Sequence, residues 1–234
     1  MPVQQLVAGV HHFRSQVFKE QRDLFERLGS GQSPNTMFIT CSDSRIDPNL
    51  ITQTAPGDLF VLRNAGNMIP AYGASNGGET AAVEFAIRAL DVKDIIICGH
   101  SQCGAMKGLL KPEMLAELPD TAKWLNLAET TRQIVRAKYQ HLSGDELLSA
   151  TIEENVLSQI ENLQTHPAVA VGLMRGTLKL HAWHYEIETG EIYAYDIESG
   201  QFKPLGMIKD FKNFAHPAPP VLAEKRISGG EALG

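Results

Sequence analysis

Asp94-Ile95-Ile96-Ile97-Cys98 runs straight into Gly99-His100-Ser101-Gln102-Cys103-Gly104, and the chain continues as Ala105-Met106-Lys107-Gly108-Leu109-Leu110. The isoleucine run reads as a buried strand, and the segment from Gly104 to Leu110 reads as the start of a helix. A strand that turns directly into a helix is half of a βαβ unit, so this stretch predicts a parallel sheet. Working outward, β-type runs recur at 37–40 and 59–62, and a helical pattern occupies 80–90. Further helices are predicted at 121–139, 144–163 and 167–174, with Pro119 and Pro167 as boundaries. Residues 178–187 and 191–197 alternate apolar with polar around Thr189-Gly190, which predicts an antiparallel hairpin closing the sheet. The expected fold is α/β, a mostly parallel central sheet flanked by helices.

At the amino end, Leu6, Val7, Val10, Phe13, Val17, Leu24, Phe25 and Leu28 recur at mostly helical spacing and stop at Gly29-Ser30-Gly31. Residues 1–30 are thus expected to form a helical arm, whose apolar face covers either its own domain or a partner subunit. A single α/β domain is expected over 31–213, because 234 residues suffice to bury about 70% of the unfolded surface in one core. Pro217, Pro219, Pro220, Ser228, Gly229 and Gly230 mark 214–234 as a tail expected not to pack.

Composition narrows the function. Lys and Arg number 21 against 27 Asp and Glu, a net charge of -6 with no basic run, so no electrostatic footprint for nucleic acid is present. Apolar runs fall far short of the roughly 20 residues that span a bilayer, and residues 1–10 lack a basic region followed by an apolar one. A soluble, cytoplasmic protein with no membrane partner is expected. Three cysteines cannot build a disulfide framework and suit metal binding better.

Cys41, His100 and Cys103 offer two soft thiolates and one imidazole, which fill three corners of a zinc tetrahedron and leave the fourth open, as at a catalytic zinc. Cys98, inside the isoleucine run, reads as a small buried hydrophobe. Cys41 ends the first predicted strand, and His100 and Cys103 follow the third, where open α/β sheets place their chemistry. The helix starting at Gly104 is expected to help keep the Cys103 sulfur ionised. Cys41-Ser42-Asp43-Ser44-Arg45 adds a carboxylate and a guanidinium beside the thiol. Asp43 can orient a nucleophile or itself fill the fourth position, and a bidentate pair with Arg45 would hold it off the metal.

C-S-D-S-R at 41–45 with G-H-S-x-C-G at 99–104 resembles the β-class carbonic anhydrases, a likeness continued by Gly31-Gln32-Ser33-Pro34, Pro56-Gly57-Asp58-Leu59-Phe60, Arg63-Asn64-Ala65-Gly66-Asn67 and Gly77-Gly78-Glu79. Asp47 to Thr52, Gly104 to Leu110 and Glu154 to Leu157 are most similar to the cyanobacterial, carboxysome-associated branch. The resemblance implies reversible hydration of CO2 to bicarbonate and a proton, with one Zn2+ per subunit on Cys41, His100 and Cys103. It implies a zinc hydroxide nucleophile oriented by Asp43, itself held by Arg45. It places Gln32 as a donor to substrate oxygen, Phe60 in the CO2 pocket wall, and Phe85 where many members carry a tyrosine, so a hydroxyl is missing there. Two thiolates on zinc should leave the bound water less acidic, so activity is expected to favour pH above neutral.

The resemblance also implies a homodimer or higher homo-oligomer, with a neighbouring subunit completing each pocket. Carboxysomal relatives use long C-terminal extensions to engage a scaffold protein, and this tail ends about 20 residues after Phe214, which weighs against such a partner and against a carboxysomal location. Hydrolysis of carbonyl sulfide or carbon disulfide is a rival on the same scaffold, and a closed bicarbonate sensor with Asp43 on zinc is another. A redox thiol protein lacks a C-x-x-C pair. His181 and His184, three apart in a strand, face opposite sides and form no chelating pair. Together with His11, His12, His141, His166 and His216 they read as satisfied or exposed.

Overall fold

The computed structural model describes residues 2–75 and 77–214; the expected tail beyond Phe214 lies outside them. Among the described residues, six strands form one sheet: β1 (Thr36–Cys41), β2 (Leu59–Asn64), β3 (Asp94–His100), β4 (Lys179–Tyr185), β5 (Ile192–Asp196) and β6 (Gln201–Pro204), in the order β2-β1-β3-β4-β5-β6. β2, β1, β3 and β4 are parallel, and β5 and β6 add antiparallel strands at one edge. β1 and β3 are buried almost throughout, as expected of central parallel strands covered on both faces, whereas β4 alternates residue by residue.

Among the described residues, ten α-helices form the arm, connect the strands and flank the sheet. The arm comprises α1 (Val3–His12), a π-helical turn, α2 (Phe18–Glu20) and α3 (Arg22–Leu28); α4 (Pro48–Thr52) follows β1 and α5 (Gly78–Arg88) follows β2. Between β3 and β4 come α6 (Gly104–Leu110), α7 (Pro119–Leu125), α8 (Glu129–Lys138), α9 (Gly144–Gln164) and α10 (Pro167–Met174). Met37, Ile39, Ile95 and Ile97 point to the face packed by Val83 and Ala86 of α5, Val156 and Ile160 of α9, and Val169 and Leu173 of α10. Phe38, Ile96 and Cys98 point the other way, against Ile46, Ile51 and Trp183. The arm buries none of its residues, and Val3, Leu6, Val7 and Val10 stay exposed in a single chain.

Four details differ from the sequence-based expectation. The single helix over 121–139 is two, α7 and α8, joined by a 3-10 turn at Asn126–Ala128. The tighter turn aligns residues three apart, which lets Leu125 and Ala128 both face inward. β6 is an added strand; with four residues and a proline at its end it is too short for its pattern to stand out. α4 is an added helix, capped by the Asp47 carboxylate on the N–H groups of Asn49 and Leu50, with Pro48 in its first turn. His100 belongs to β3 as its last residue, and only Cys103 follows the strand.

Gly99 fixes how closely α9 approaches the sheet. A Cβ there would lie 2.8 Å from Ile152 Cγ2 and 2.9 Å from Val156 Cγ2, so only glycine permits this contact just before His100. Among the described residues, no helix is long and apolar enough to cross a membrane.

Candidate metal centre

Cys41 and His100 are the last residues of β1 and β3, and because these strands are parallel neighbours their ends lie side by side. Cys103 returns to the same point through a turn that holds Gln102 at φ 56, in the left-handed region. The three ligand atoms lie within 4.8 Å of one another, and all three residues are buried. His100 Nδ1 sits 2.9 Å from the Ser101 carbonyl, so Nδ1 carries the proton and donates it. That leaves Nε2 as a bare lone pair, buried and without a partner. A buried acceptor facing two sulfurs is costly unless something fills the site. The donor set fits zinc with three protein ligands and one open position.

The two sulfurs are electrostatically unequal. The Cys41 thiol is lowered, first by a hydrogen bond from Cys103 and then, against the opposing effect of burial, by backbone N–H groups, among them that of Gly66, which donates to Sγ over 3.4 Å. The Cys103 thiol is raised well above the usual range by Cys41 and by burial, and the N–H groups of Ala105 and Met106 offset this only in part. Without metal the pair therefore shares one proton, carried by Cys103. The helix start thus helps lower Cys103, as expected, but does not outweigh Cys41 and burial.

The Gly66 loop is held from behind by α9. Asn155 donates to the Gly66 carbonyl over 3.0 Å, Gln159 accepts from the Ile69 N–H over 2.8 Å, and Asn162 donates to the Ile69 carbonyl over 2.8 Å. Trp124 Nε1 donates to the Ala65 carbonyl over 2.8 Å. Gly66 itself has φ +83, and a Cβ there would meet Met106 Cε at 3.1 Å.

Asp43 stands beside the ligands, its Oδ2 3.7 Å from His100 Nε2. Arg45 grips it in a fork, Nε to Oδ1 at 2.9 Å and Nη2 to Oδ2 at 2.7 Å, and the Arg45 N–H adds a third bond to Oδ1 at 3.0 Å. Arg45 holds the Asp43 carboxyl far below the usual carboxylate range. Arg45 Nη2 also donates to the Gln102 carbonyl over 3.2 Å, tying the two ligand loops together. Arg63 supports the same loop from β2: it donates to the carbonyls of Cys41, Asp43 and Ile46 at 3.0, 2.7 and 2.9 Å. Sequence reasoning gave no role to Arg63, Gln102 or the α9 amides, although Arg63 lies inside a motif it had singled out.

Other expected site residues lie elsewhere in the chain. Gln32 precedes β1, whose far end carries Cys41. Phe60 pairs with Met37 at the start of β2, whereas Cys41 pairs with Asn64, about 13 Å farther along at roughly 3.3 Å per residue. Phe85 is 48% exposed on α5 and packs against Phe60 with ring centroids 6.1 Å apart. Within one chain these three residues are not brought to the ligands.

Cys98 is fully buried on the opposite face from the ligand cluster, and burial pushes its thiol above the ordinary range. Among the histidines, His166 contacts the Pro70 carbonyl, His181 pairs with Asp94, and His11, His12 and His141 are exposed. His184 differs from expectation: Nδ1 faces Glu153 at 3.2 Å, but its buried Nε2 has no partner. His216 lies outside the described residues.

A family profile described as carbonic anhydrase matches residues 36–192. A carbonic anhydrase of Synechocystis is 56% identical over 195 residues, covering 83% of this chain and 71% of that one. The structure of the β-carbonic anhydrase CcaA superposes with a TM-score of 0.85 at 54% identity, covering 86% of this chain and 98% of the other. One of two tetrameric β-carbonic anhydrases from Sordaria macrospora superposes with a TM-score of 0.74 at 26% identity, covering 87% and 96%. The chain belongs to the β-carbonic anhydrase family, zinc enzymes of CO2 hydration, and brings Cys41, His100 and Cys103 together where such a metal fits.

Proposed function

We propose that this chain catalyses the reversible hydration of CO2 to bicarbonate with zinc on Cys41, His100 and Cys103, and with Asp43 and Arg45 as the pair that orients the reaction. The observation that carries this reading is the Arg45 fork, which consumes both oxygens of Asp43 and holds Oδ2 3.7 Å from the unpartnered His100 Nε2. Zinc, when bound, supplies a Lewis acid that makes water a nucleophile near neutral pH. Asp43 remains a carboxylate throughout the working range and accepts a hydrogen bond at Oδ2 from the attacking oxygen, turning a lone pair of that oxygen toward CO2. Arg45 prevents that carboxylate from swinging inward. This is an effect of orientation, of the kind that is lost when geometry slips by about 1 Å. The closed-site alternative, with Asp43 as fourth ligand, requires the fork to open.

Gln32, Phe60 and Phe85 reach substrate only if a second copy of the chain supplies them. Gln32 precedes β1, Phe60 stands at the start of β2 and Phe85 packs on Phe60 from α5, all away from the carboxyl ends of β1 and β3 that carry Cys41 and His100. A dimer in which each pocket takes these residues from its neighbour reconciles the family pattern with their placement, and the exposed apolar face of the arm suits such an assembly. A carboxysomal location and a scaffold partner rest only on the likeness of Asp47 to Thr52, Gly104 to Leu110 and Glu154 to Leu157 to that branch. Co-sedimentation with purified carboxysomes tests them.

Stopped-flow CO2 hydration across pH, with Asp43→Asn alongside, tests the central reading. Hydration that rises above neutral pH and falls about 100-fold in the variant, with zinc still bound, is the expected result. Undiminished hydration in Asp43→Asn would remove the orienting role. Carbonyl sulfide and carbon disulfide belong in the same assay as rival substrates.

A further inference from the structure

Gln102 lies between two ligands, in a left-handed backbone conformation at φ 56 that suits glycine or asparagine better than glutamine. Two contacts define its surroundings. Its carbonyl accepts from Arg45 Nη2 at 3.2 Å, and its side-chain amide donates to Asp145 Oδ1 at 3.2 Å. Asp145 stands in the first turn of α9, the helix whose Asn155, Gln159 and Asn162 also hold the Gly66 loop. Behind the contact lies a cavity of about 330 Å³ lined by Ser101, Gln102, Asp145, Glu146, Glu186 and Glu188.

We propose that Asp145 is a positioning residue for the reaction, acting through Gln102 on Arg45 and hence on Asp43. The Asp145 carboxylate anchors the Gln102 side chain, which keeps the strained backbone turned so that its carbonyl faces the guanidinium. The guanidinium then has a third fixed point besides the two oxygens of Asp43, and the fork cannot rotate about the Asp43 axis. The strut thus runs from the start of α9 to the orienting carboxylate without touching substrate. This inference rests on the Asp43 and Arg45 reading above.

A double-mutant cycle with a structural readout tests it. In the zinc-loaded protein, Asp145→Ala should lower kcat about fivefold with KM unchanged, the scale of one ordinary hydrogen bond. Asp145→Asn, whose amide oxygen still accepts from Gln102, should restore kcat to within about twofold. In an Arg45→Ala background, Asp145→Ala should add nothing further, because the path it uses is already cut. The Arg45 Nε–H, followed by proton NMR, should exchange with solvent about fivefold faster in Asp145→Ala and at the parent rate in Asp145→Asn. An additive loss in the Arg45→Ala background, or an unchanged Arg45 Nε–H, would overturn the proposal. Full activity of Arg45→Ala alone would instead overturn the underlying reading, so the two failures are distinguishable.

Discussion

Replacing Gly99 by alanine adds one methyl group at the seam between β3 and α9, and the geometry sets what must follow. The new Cβ would sit 2.8 Å from Ile152 Cγ2 and 2.9 Å from Val156 Cγ2. Carbon atoms in good contact lie about 3.5–4.0 Å apart, so helix and strand must part by roughly 0.7 Å or more. The two neighbours cannot simply step aside, because β-branched side chains in a helix have essentially one favoured rotamer. Overpacking of this kind costs about 1–3 kcal/mol, and 2 kcal/mol corresponds to roughly 4–8 °C in melting temperature for a chain of this size. The same displacement carries Asn155 and Gln159 away from the loop that offers the Gly66 N–H to Cys41, so zinc affinity should fall together with stability. Thermal unfolding at fixed protomer concentration and saturating zinc measures the first effect; competition with a chelator measures the second. Gly104→Ala is the control, since a Cβ there meets nothing within 4 Å, and it should be neutral or stabilising by a few tenths of a kcal/mol. A Gly99→Ala protein with parental melting and parental zinc affinity would refute the packing argument.

The shared proton on Cys41 and Cys103 gives a pH dependence with a definite sign. Cys41 is lowered and Cys103 raised, so between their two titrations zinc uptake should release about one proton per ion from the pair, and affinity should rise tenfold per pH unit; calorimetry in buffers of different ionisation enthalpy counts it, and release of two protons at pH 7 would contradict the assignment. Arg63→Ala removes three bonds to the carbonyls of Cys41, Asp43 and Ile46 and should weaken zinc binding about 10–100-fold by chelator competition, with an unchanged affinity counting against a supporting role. Glu154 is buried and accepts from Lys138 Nζ at 2.6 Å and Tyr139 Oη at 2.5 Å, tying α8 to α9. Glu154→Leu should therefore cost about 1–3 kcal/mol in urea unfolding with little change in zinc content, whereas an unchanged midpoint would show the tie to be energetically idle.

The ligands and the sheet were legible in the residues because both rest on restrictive chemistry. Few side chains bind zinc, and a run of three isoleucines in a chain that alternates strands with helices has few places to go except a buried strand. Glycine positions were harder to interpret. Gly99 and Gly66 both lie in motifs that stood out, but neither the approach of Ile152 to Gly99 nor the positive φ of Gly66 can be read without knowing what packs there. The break between α7 and α8 was hidden for a related reason: Leu125 and Ala128 fit a continuous helical pattern, and only their joint burial selects the tighter turn.

Support for the site was the least legible part, because it runs through backbone atoms. Arg63 acts on three carbonyls and Arg45 takes its extra anchor from the Gln102 carbonyl, a group that every residue type possesses. No residue identity at 102 signals that its backbone will adopt φ 56; glutamine is indeed a poor choice for it. The cost of that conformation is sustained by contacts on both sides, Asp145 holding the side chain and Arg45 the carbonyl. Asp145 lies 43 residues from Gln102 in the chain, and its place in the first turn of α9 already has the bland explanation of an acidic residue at a helix start. Only the fold, by bringing that turn against the loop between His100 and Cys103, separates a residue that merely suits the helix dipole from one that also holds the Gln102 side chain beside Arg45.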